Sequence, residues 1–113
     1  MTTDGRLTLA HFRQDRGHTV IVGGELDLMS MPTLIDAVTQ LLGEEIDELT
    51  LDLGDLTFLD SVGLQALRKV QRLCESHDCK LVLTLVRPHI RELFAVTGVE
   101  EHLPLRDDPP RES

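Results

Sequence analysis

The sequence alternates segments with the apolar period of a β-strand and segments with the period of an α-helix, and this order constrains the fold most. Two strand-like segments come first, at 7–12 and 18–23, and the polar residues 14–17 between them suit a hairpin turn. Each later strand-like segment is separated from the one before it by a helix-like segment. Strands connected in this way pair in parallel through right-handed crossovers. The order predicts a single α/β domain with a mixed, mostly parallel sheet of four to five strands and three or more helices.

Apolar residues three and four positions apart mark three helices, each with one face suited to cover a sheet. Proline near the first position and glycine just past the last position bound two of them. The predicted helices are 32–43, 61–77 and 88–98. The predicted strands after the hairpin are 49–53 and 81–86, with a short additional strand at 103–105.

Length and composition limit the class of protein. The 113 residues allow one compact domain, which we expect over residues 1–105, and the charged, proline-containing residues 106–113 are expected to form a flexible tail. Aromatic residues make up 3% of the chain, so the stacking surfaces that single-stranded nucleic acid requires are missing. The net charge of −9 repels phosphate backbones and anionic lipids. Nucleic-acid and membrane partners are therefore not expected.

Targeting and redox signals point to the cytoplasm. The longest apolar run, 93–96, is too short to cross a bilayer, and the first residues do not have the pattern of a secretory signal. Cys74 and Cys79 are not accompanied by a second cysteine pair or by a histidine at metal-ligand spacing. We therefore expect unpaired thiols in a reducing compartment, and no metal or other cofactor.

The carboxyl ends of the parallel strands are the expected place for a site, because the loops that follow them open on one edge of the sheet. Asp27 follows the second strand, residues 54–63 follow the third, and Arg87 follows the fourth. These residues are therefore predicted to lie along the same edge.

Residues 54–63 are the most informative part of that edge, because they leave a strand and enter a helix directly. Asp60 and Ser61 both suit the N-cap or first turn, where a side-chain oxygen satisfies backbone N–H groups that have no partner. Capping is one interpretation. The other is that the same N–H groups and the helix dipole stabilise a phosphate added to Ser61. Gly63 leaves room either for a partner or for close packing of the helix on the sheet.

These segments together resemble a STAS domain of the anti-sigma factor antagonist type, and the resemblance covers about residues 7–105. The segments that carry it are GELDL at 24–28, LTLDLGDLTFLDSVGLQAL at 49–67 and RPHIRELFAVTGVEEHLPL at 87–105. The most specific part is the Asp-Ser-x-Gly step at 60–63. The family's mixed sheet, with a phosphoserine at the start of the second helix, agrees with the order of elements predicted above.

The resemblance implies a switch between partners. Antagonists of this family bind an anti-sigma factor serine kinase and so release a sigma factor, and they let go when they are phosphorylated. Ser61 is then the phosphoacceptor and Asp27 the acidic residue close to it, while ATP and magnesium belong to the kinase and a phosphatase restores the serine. The partner-binding residues implied are Asp27, Asp60, Ser61, Val62, Gly63, Leu64 and Arg68.

Two other classes of function stay open. STAS domains also occur in stress-signalling complexes, in anion transporters and in lipid-trafficking systems. The resemblance therefore also allows a constitutive scaffold or a subunit of such a complex, with Ser61 only a helix cap. An enzyme acting through Ser61 would need a base within hydrogen-bond reach, and no sequence cue aims one of the five histidines at it. Catalysis is therefore not expected.

Two charge patterns have both a structural and a functional interpretation. The acidic residues from Glu44 to Asp60 have no Lys or Arg among them, which fits a solvated surface or steering toward a basic groove on a kinase. Arg68, Lys69 and Arg72 form a small basic strip on the second predicted helix, which fits an ordinary exposed face or a partner contact.

Overall fold

The strands of the sheet lie side by side in the order in which they occur along the chain. The computed structural model describes residues 2–3, 6–15 and 17–106. Within them the six strands are β1 (Thr2–Thr3), β2 (Leu7–Gln14), β3 (Gly17–Leu26), β4 (Glu48–Leu59), β5 (Lys80–Thr84) and β6 (Leu105–Arg106). The first three pair antiparallel, and β3 to β6 pair in parallel. The predicted hairpin and the mixed α/β fold class are confirmed, and the two-residue β1 is an addition.

Helices connect the parallel strands. They are α1 (Met31–Leu42), α2 (Ser61–Ser76) and α3 (Pro88–Thr97), and a 3₁₀ turn at Val99–His102 precedes β6. The helix bounds agree with the predicted ones to within one residue. α3 ends at Gly98, whose φ of +78° is left-handed. A Cβ there would meet no atom within 4 Å, so the backbone conformation rather than the available space favours glycine.

One face of the sheet carries the core. A single apolar cluster joins alternate residues of β4 and β5 to residues of all three helices, which places the helices on that face. The residues that cluster contributes from β4 and β5 include Leu49, Leu51, Leu53, Leu81 and Leu83. Cys74 and Cys79 are also buried in it as free thiols, and burial raises the pKa of Cys74 to about 12. No helix in the described part of the chain is both long and apolar enough to span a bilayer.

β4 is longer than the sequence predicts. Its alternating pattern ends at Leu53, but the strand continues to Leu59 because it stays paired with β3. Two register shifts in that pairing, one between Ile21 and Gly23 and one after Gly24, mark the irregularity of the added part. Pairing with a neighbouring strand thus overrides a local sequence that contains glycine and aspartate. The residues predicted to form a loop before α2 belong mostly to β4.

The end of the domain differs from the prediction in two details. β5 stops at Thr84, before Leu85 with a left-handed φ of +58°, so the predicted strand was two residues too long. Arg106, assigned to the tail, is the second residue of β6. Residues 107–113 lie outside the described residues, so a flexible tail there stays a prediction.

Candidate functional site

The first turn of α2 is capped by Asp60 and not by Ser61. Asp60 has an extended backbone, and its Oδ1 accepts a hydrogen bond from the backbone N–H of Gly63 at 2.9 Å. Ser61 is the first residue of the helix and is exposed. Capping therefore does not require the hydroxyl of Ser61, which is open to solvent at the positive end of the helix dipole.

Gly63 lets α2 pack closely on the end of β3. A Cβ at this position would lie 2.3 Å from the carbonyl oxygen of Leu26, so any side chain would force the helix away from the strand. Gly63 and the next residue, Leu64, are both buried. Of the two interpretations of Gly63, the structure supports helix–sheet packing. Gly63 and Leu64 thus support the exposed residues from within the fold, and their assignment as partner contacts stays a prediction.

The strand ends bring the predicted residues to one edge. Leu26 and Leu59 are paired neighbours at the ends of β3 and β4, so Asp27 and Asp60 begin adjacent loops. The close approach of α2 to the carbonyl of Leu26 adds Ser61 to the same edge.

Two further predicted contact residues belong to α2. Val62 and Arg68 are half-buried, and Arg68 lies about two turns after Ser61. The Nε atom of Arg68 is buried without a hydrogen-bond partner among the described residues.

The carboxylate of Asp27 is buried and anchors the loop that follows β3. Its Oδ1 accepts hydrogen bonds from the backbone N–H groups of Met29 and Ser30 at 3.0 and 3.1 Å, and its Oδ2 accepts one from Nη1 of Arg6. The hydroxyl of Ser30 donates to the carbonyl of Glu25 at 2.8 Å and accepts from the N–H of Asp27 at 3.0 Å. Asp27 thus positions the loop, and its assignment as a partner contact stays a prediction.

The carboxyl group of Asp27 is held in its charged form. Burial alone would raise its pKa, but the hydrogen bonds from Ser30 and the hydrogen bond and positive charge of Arg6 outweigh burial and lower the pKa. Sequence reasoning missed Arg6 and Ser30. The Asp-x-x-Ser spacing of residues 27–30 is a signal for such a turn, whereas nothing local points to Arg6.

The loop that Asp27 holds carries two exposed apolar side chains. Leu28 is 63% exposed and Met29 is 72% exposed, although the backbone on either side is fixed by buried hydrogen bonds. Phe58, near the end of β4, is 45% exposed. These exposed apolar residues at the same edge as Ser61 were not predicted, because both loop residues lie outside any periodic pattern.

Arg87 joins the same edge through the extended part of β4. Its Nε donates to the carbonyl oxygen of Gly54 at 2.6 Å, and a ring nitrogen of His89 lies 2.9 Å from the carbonyl oxygen of Thr57. Both side chains therefore tie the loop before α3 to β4.

The acidic stretch from Glu44 to Asp60 reaches Ser61 only through Asp60, its last residue. Residues 44–48 precede or begin β4, and Ser61 follows the other end of that strand, so the two lie at opposite edges of the sheet. Asp52, in the middle of the stretch, is buried. This placement favours the interpretation of residues 44–48 as a solvated surface.

The histidines have partners away from Ser61. In the hairpin, Nδ1 of His11 and Nε2 of His18 are 3.1 Å apart. The two ring centroids are 5.3 Å apart. This is close to the greatest centroid separation that a 3.1 Å contact between two ring nitrogens allows, so the two nitrogens point at each other. Among the described residues, no histidine ring is hydrogen-bonded to Ser61, and no cluster of three or more metal-ligating side chains exists.

His18 is the buried member of the pair. It is 7% exposed, and its Nδ1 has no hydrogen-bond partner among the described residues. Burial lowers the pKa of His18 most, and the positive charges of His11 and Arg13 lower it further. The negative charge of Glu44 raises this pKa, but by less than burial lowers it. A proton added to Nδ1 would place a second N–H donor at a buried position where the ring has no acceptor for it among the described residues.

The fold and the site define a STAS domain. The family model described as "Mlab, STAS domain" matches residues 7–107, and the chain belongs to this family.

Its similarity to individual proteins is in line with that assignment. The anti-sigma-B factor antagonist of Staphylococcus aureus (strain NCTC 8325 / PS 47) is 28% identical over 88 residues, which cover 78% of this chain and 82% of that protein. The crystal structure of an anti-sigma factor antagonist from Mycobacterium paratuberculosis matches with a TM-score of 0.78 and 25% identity, over 93% of this chain and 89% of the other. The unphosphorylated antagonist SpoIIAA shares the fold, with a TM-score of 0.75 and 17% identity over 90% and 89% of the two chains.

Proposed function

We propose that this chain is an anti-sigma factor antagonist that binds an anti-sigma factor serine kinase, releases a sigma factor, and is inactivated by phosphorylation at Ser61. The observation that carries the proposal is the exposed hydroxyl of Ser61, on a helix that Asp60 already caps. The names of the similar proteins support it. In this function the chain is a cytoplasmic binding protein that supplies only the hydroxyl, the kinase binds ATP, and a phosphatase reverses the modification.

The charge of the edge explains how one phosphate could release the partner. A phosphoserine adds about −1.5 to −2 charges, here on the same edge as the carboxylates of Asp27 and Asp60. Like charges brought together at an interface cost several kcal/mol, and each 1.4 kcal/mol is a tenfold loss of affinity. The surface that the partner would meet consists of Ser61, the exposed parts of Val62 and Arg68, and the apolar tip at residues 28–29.

The test is phosphorylation of the purified chain by candidate kinases with ATP, followed by mass spectrometry. Ser61→Ala is expected to keep kinase binding and to take up no phosphate, whereas Ser61→Asp is expected to bind more weakly. Ser76→Ala is the matched control, because Ser76 is an exposed serine at the other end of α2. Uptake of one phosphate by Ser61→Ala would show that the assigned site is wrong.

A second candidate is a constitutive STAS scaffold or a subunit of a stress-signalling or lipid-transport complex. The matching family model is described as "Mlab, STAS domain" and not as an anti-sigma factor antagonist, which favours this second candidate. This function predicts that a pull-down recovers subunits of a membrane complex and no ATP-binding kinase. It also predicts that Ser61→Ala and Ser61→Asp bind the partner equally well.

A further inference from the structure

The outer face of α2 carries Ser61 and two arginines in one row. Arg68 and Arg72 lie seven and eleven positions after Ser61, and at 3.6 residues per turn these positions share one side of the helix. Ser61 and Arg72 are exposed, and Arg68 is half-buried. A partner that reaches Ser61 and continues along α2 therefore meets both arginines.

The basic strip formed by Arg68, Lys69 and Arg72 is not neutralised within the fold. Among the described residues, none of these three side chains has a hydrogen bond or an ion pair. The sequence from Ser61 to Arg72 contains no Asp or Glu, whereas the chain as a whole has a net charge of −9. The overall charge repels an acidic partner, so the strip is the part of α2 to which such a partner is attracted.

The guanidinium of Arg68 does not serve the fold. Its Nε is buried and has no hydrogen-bond partner among the described residues, which costs free energy because the donor has left water without a replacement. The Nη groups are not buried, and they too have no partner in the described part of the chain. Burial up to Nε holds the guanidinium in place, so its Nη groups can bind a carboxylate with little further ordering.

We propose that the basic strip on α2 binds an acidic segment of the kinase, and that the Nη groups of Arg68 hold a carboxylate of that segment. Charge complementarity identifies the occupant, because the strip carries unpaired positive charges in line with the phosphoacceptor Ser61. A phosphate on Ser61 would then stand beside the partner's own carboxylates and repel them. The inference rests on the proposed function in that the partner is the kinase proposed above.

The first test needs no kinase. Its probe is a hexaglutamate peptide, added to isotope-labelled protein at low ionic strength and followed by NMR. The amide signals of residues 65–72 and the side-chain N–H signals of Arg68 are expected to shift most. Arg68→Gln/Arg72→Gln is expected to weaken binding roughly threefold or more, because two of the three charges are lost. Equal binding by this variant, or shifts centred outside α2, would overturn the proposal.

Two controls belong to this titration. Arg13→Gln/Lys80→Gln also removes two positive charges, but from exposed side chains outside α2, and is expected to bind the peptide within about twofold of the wild type. The control ligand is a thymidine hexanucleotide, which carries phosphates in place of carboxylates. If it shifts the same signals with equal affinity, the strip is a general site for anions and the proposal is wrong.

Single substitutions of Arg68 separate binding from folding. Arg68→Lys keeps the charge and loses the planar fork, so its affinity for the peptide is expected to lie between those of the wild type and Arg68→Gln. Arg68→Met keeps an apolar stem and removes the unpaired Nε–H, so its melting temperature is expected to equal or exceed that of the wild type. A clear fall in the melting temperature of Arg68→Met would show that the guanidinium serves the fold, and would contradict the proposal.

The second test uses the kinase that phosphorylates Ser61. Calorimetry at two salt concentrations is expected to show roughly tenfold weaker binding of Arg68→Gln/Arg72→Gln than of the Arg13→Gln/Lys80→Gln control, with a smaller dependence on salt. If the kinase modifies Ser61 but binds both variants equally, the proposal fails and the proposed function stands. If no candidate kinase modifies Ser61, the proposed function fails together with the identity of the partner, and the peptide titration decides the chemistry of the strip.

Discussion

At the scale of single residues, the site depends on backbone groups and buried side chains that hold the exposed ones in place. Gly63 acts through the absence of a side chain, and Ser30, which is fully buried, acts through a hydroxyl that serves two backbone groups. Asp60 satisfies the helix end, so Ser61 has no structural duty there. Ser61 is thus not needed as the cap of α2.

The buried His18 makes the stability of the fold depend on pH. Its pKa is below the ordinary 6.5 in the folded state, so the unfolded chain binds a proton that the folded chain does not. Above about pH 6.5 the His18 ring carries no added proton in either state, so His18 costs no stability. As the pH falls below that value, the unfolded chain takes up the proton and the free energy of unfolding decreases. The loss for one proton is at most about 1.4 kcal/mol per pH unit, until the pKa of the folded state is reached.

Urea unfolding between pH 5 and 8 checks this prediction. His18→Gln is expected to flatten the dependence in that range, and His102→Gln, which changes an exposed histidine, is expected to leave it as in the wild type. An unchanged slope in His18→Gln would show that another group is responsible.

The residues of the site differ in how far the sequence can reveal them. Asp60 and Ser61 carry a local signal, the start of a helix after a strand, and the structure puts them where that signal indicates. Arg6 reaches Asp27 across 21 residues of chain, and only the folded hairpin brings the two together. A contact of that kind has no local pattern, so sequence reasoning could not find it.

At the scale of elements, the loop between β3 and α1 is a rigid support for an apolar tip. Asp27 and Ser30 hold its backbone from inside, and Leu28 and Met29 extend into solvent at the edge that also carries Ser61. A backbone that is already fixed loses little conformational entropy on binding, so only the side chains have to be ordered. We therefore expect this tip to contribute to recognition of the partner.

The double variant Leu28→Ser/Met29→Ser is expected to weaken binding of the kinase roughly tenfold or more, equivalent to about 1.4 kcal/mol. Its thermal stability is expected to change little, because both side chains are mostly exposed. Isothermal titration calorimetry with the purified kinase measures the affinity. Val96→Ser is the matched control, since Val96 is 78% exposed on α3, and equal affinities for the two variants would exclude the tip from the interface.

The elements themselves were predictable where the signal is local. The helices begin and end near the proline, aspartate and glycine residues that mark them, and the hairpin lies where its strands alternate around a polar turn. The extension of β4 to Leu59 was not predictable, because its cause is the irregular pairing with Gly23–Leu26 of β3. That pairing is what aligns Asp27 with Asp60.

At the scale of the whole molecule, the two edges of the parallel strands differ in character. One edge carries Ser61 and the apolar tip, and the other carries the acidic residues 44–48 and the turn end of the hairpin, where Gln14 pairs with Gly17. Exposed charges farther apart than about 8 Å are largely screened at physiological ionic strength. The acidity around residues 44–48 therefore affects Ser61 little, in spite of the net charge of −9.

Kinase assays on Glu44→Gln/Glu45→Gln test this separation. The rate of Ser61 phosphorylation is expected to stay within about twofold of the wild type, because the change lies outside the screened range. Asp60→Asn, in which asparagine can still cap the helix, removes charge beside Ser61 and is expected to change the rate by more. A several-fold loss in the Glu44→Gln/Glu45→Gln protein would mean that the kinase extends to the acidic edge.

Asp60 caps α2 and Ser61 does not, which has a consequence for how the proposed switch would evolve. Under the proposed function, a single codon change at position 61 removes control by phosphorylation and leaves the helix cap intact. A duplicated gene would then lose that control in one step while still encoding a folded protein.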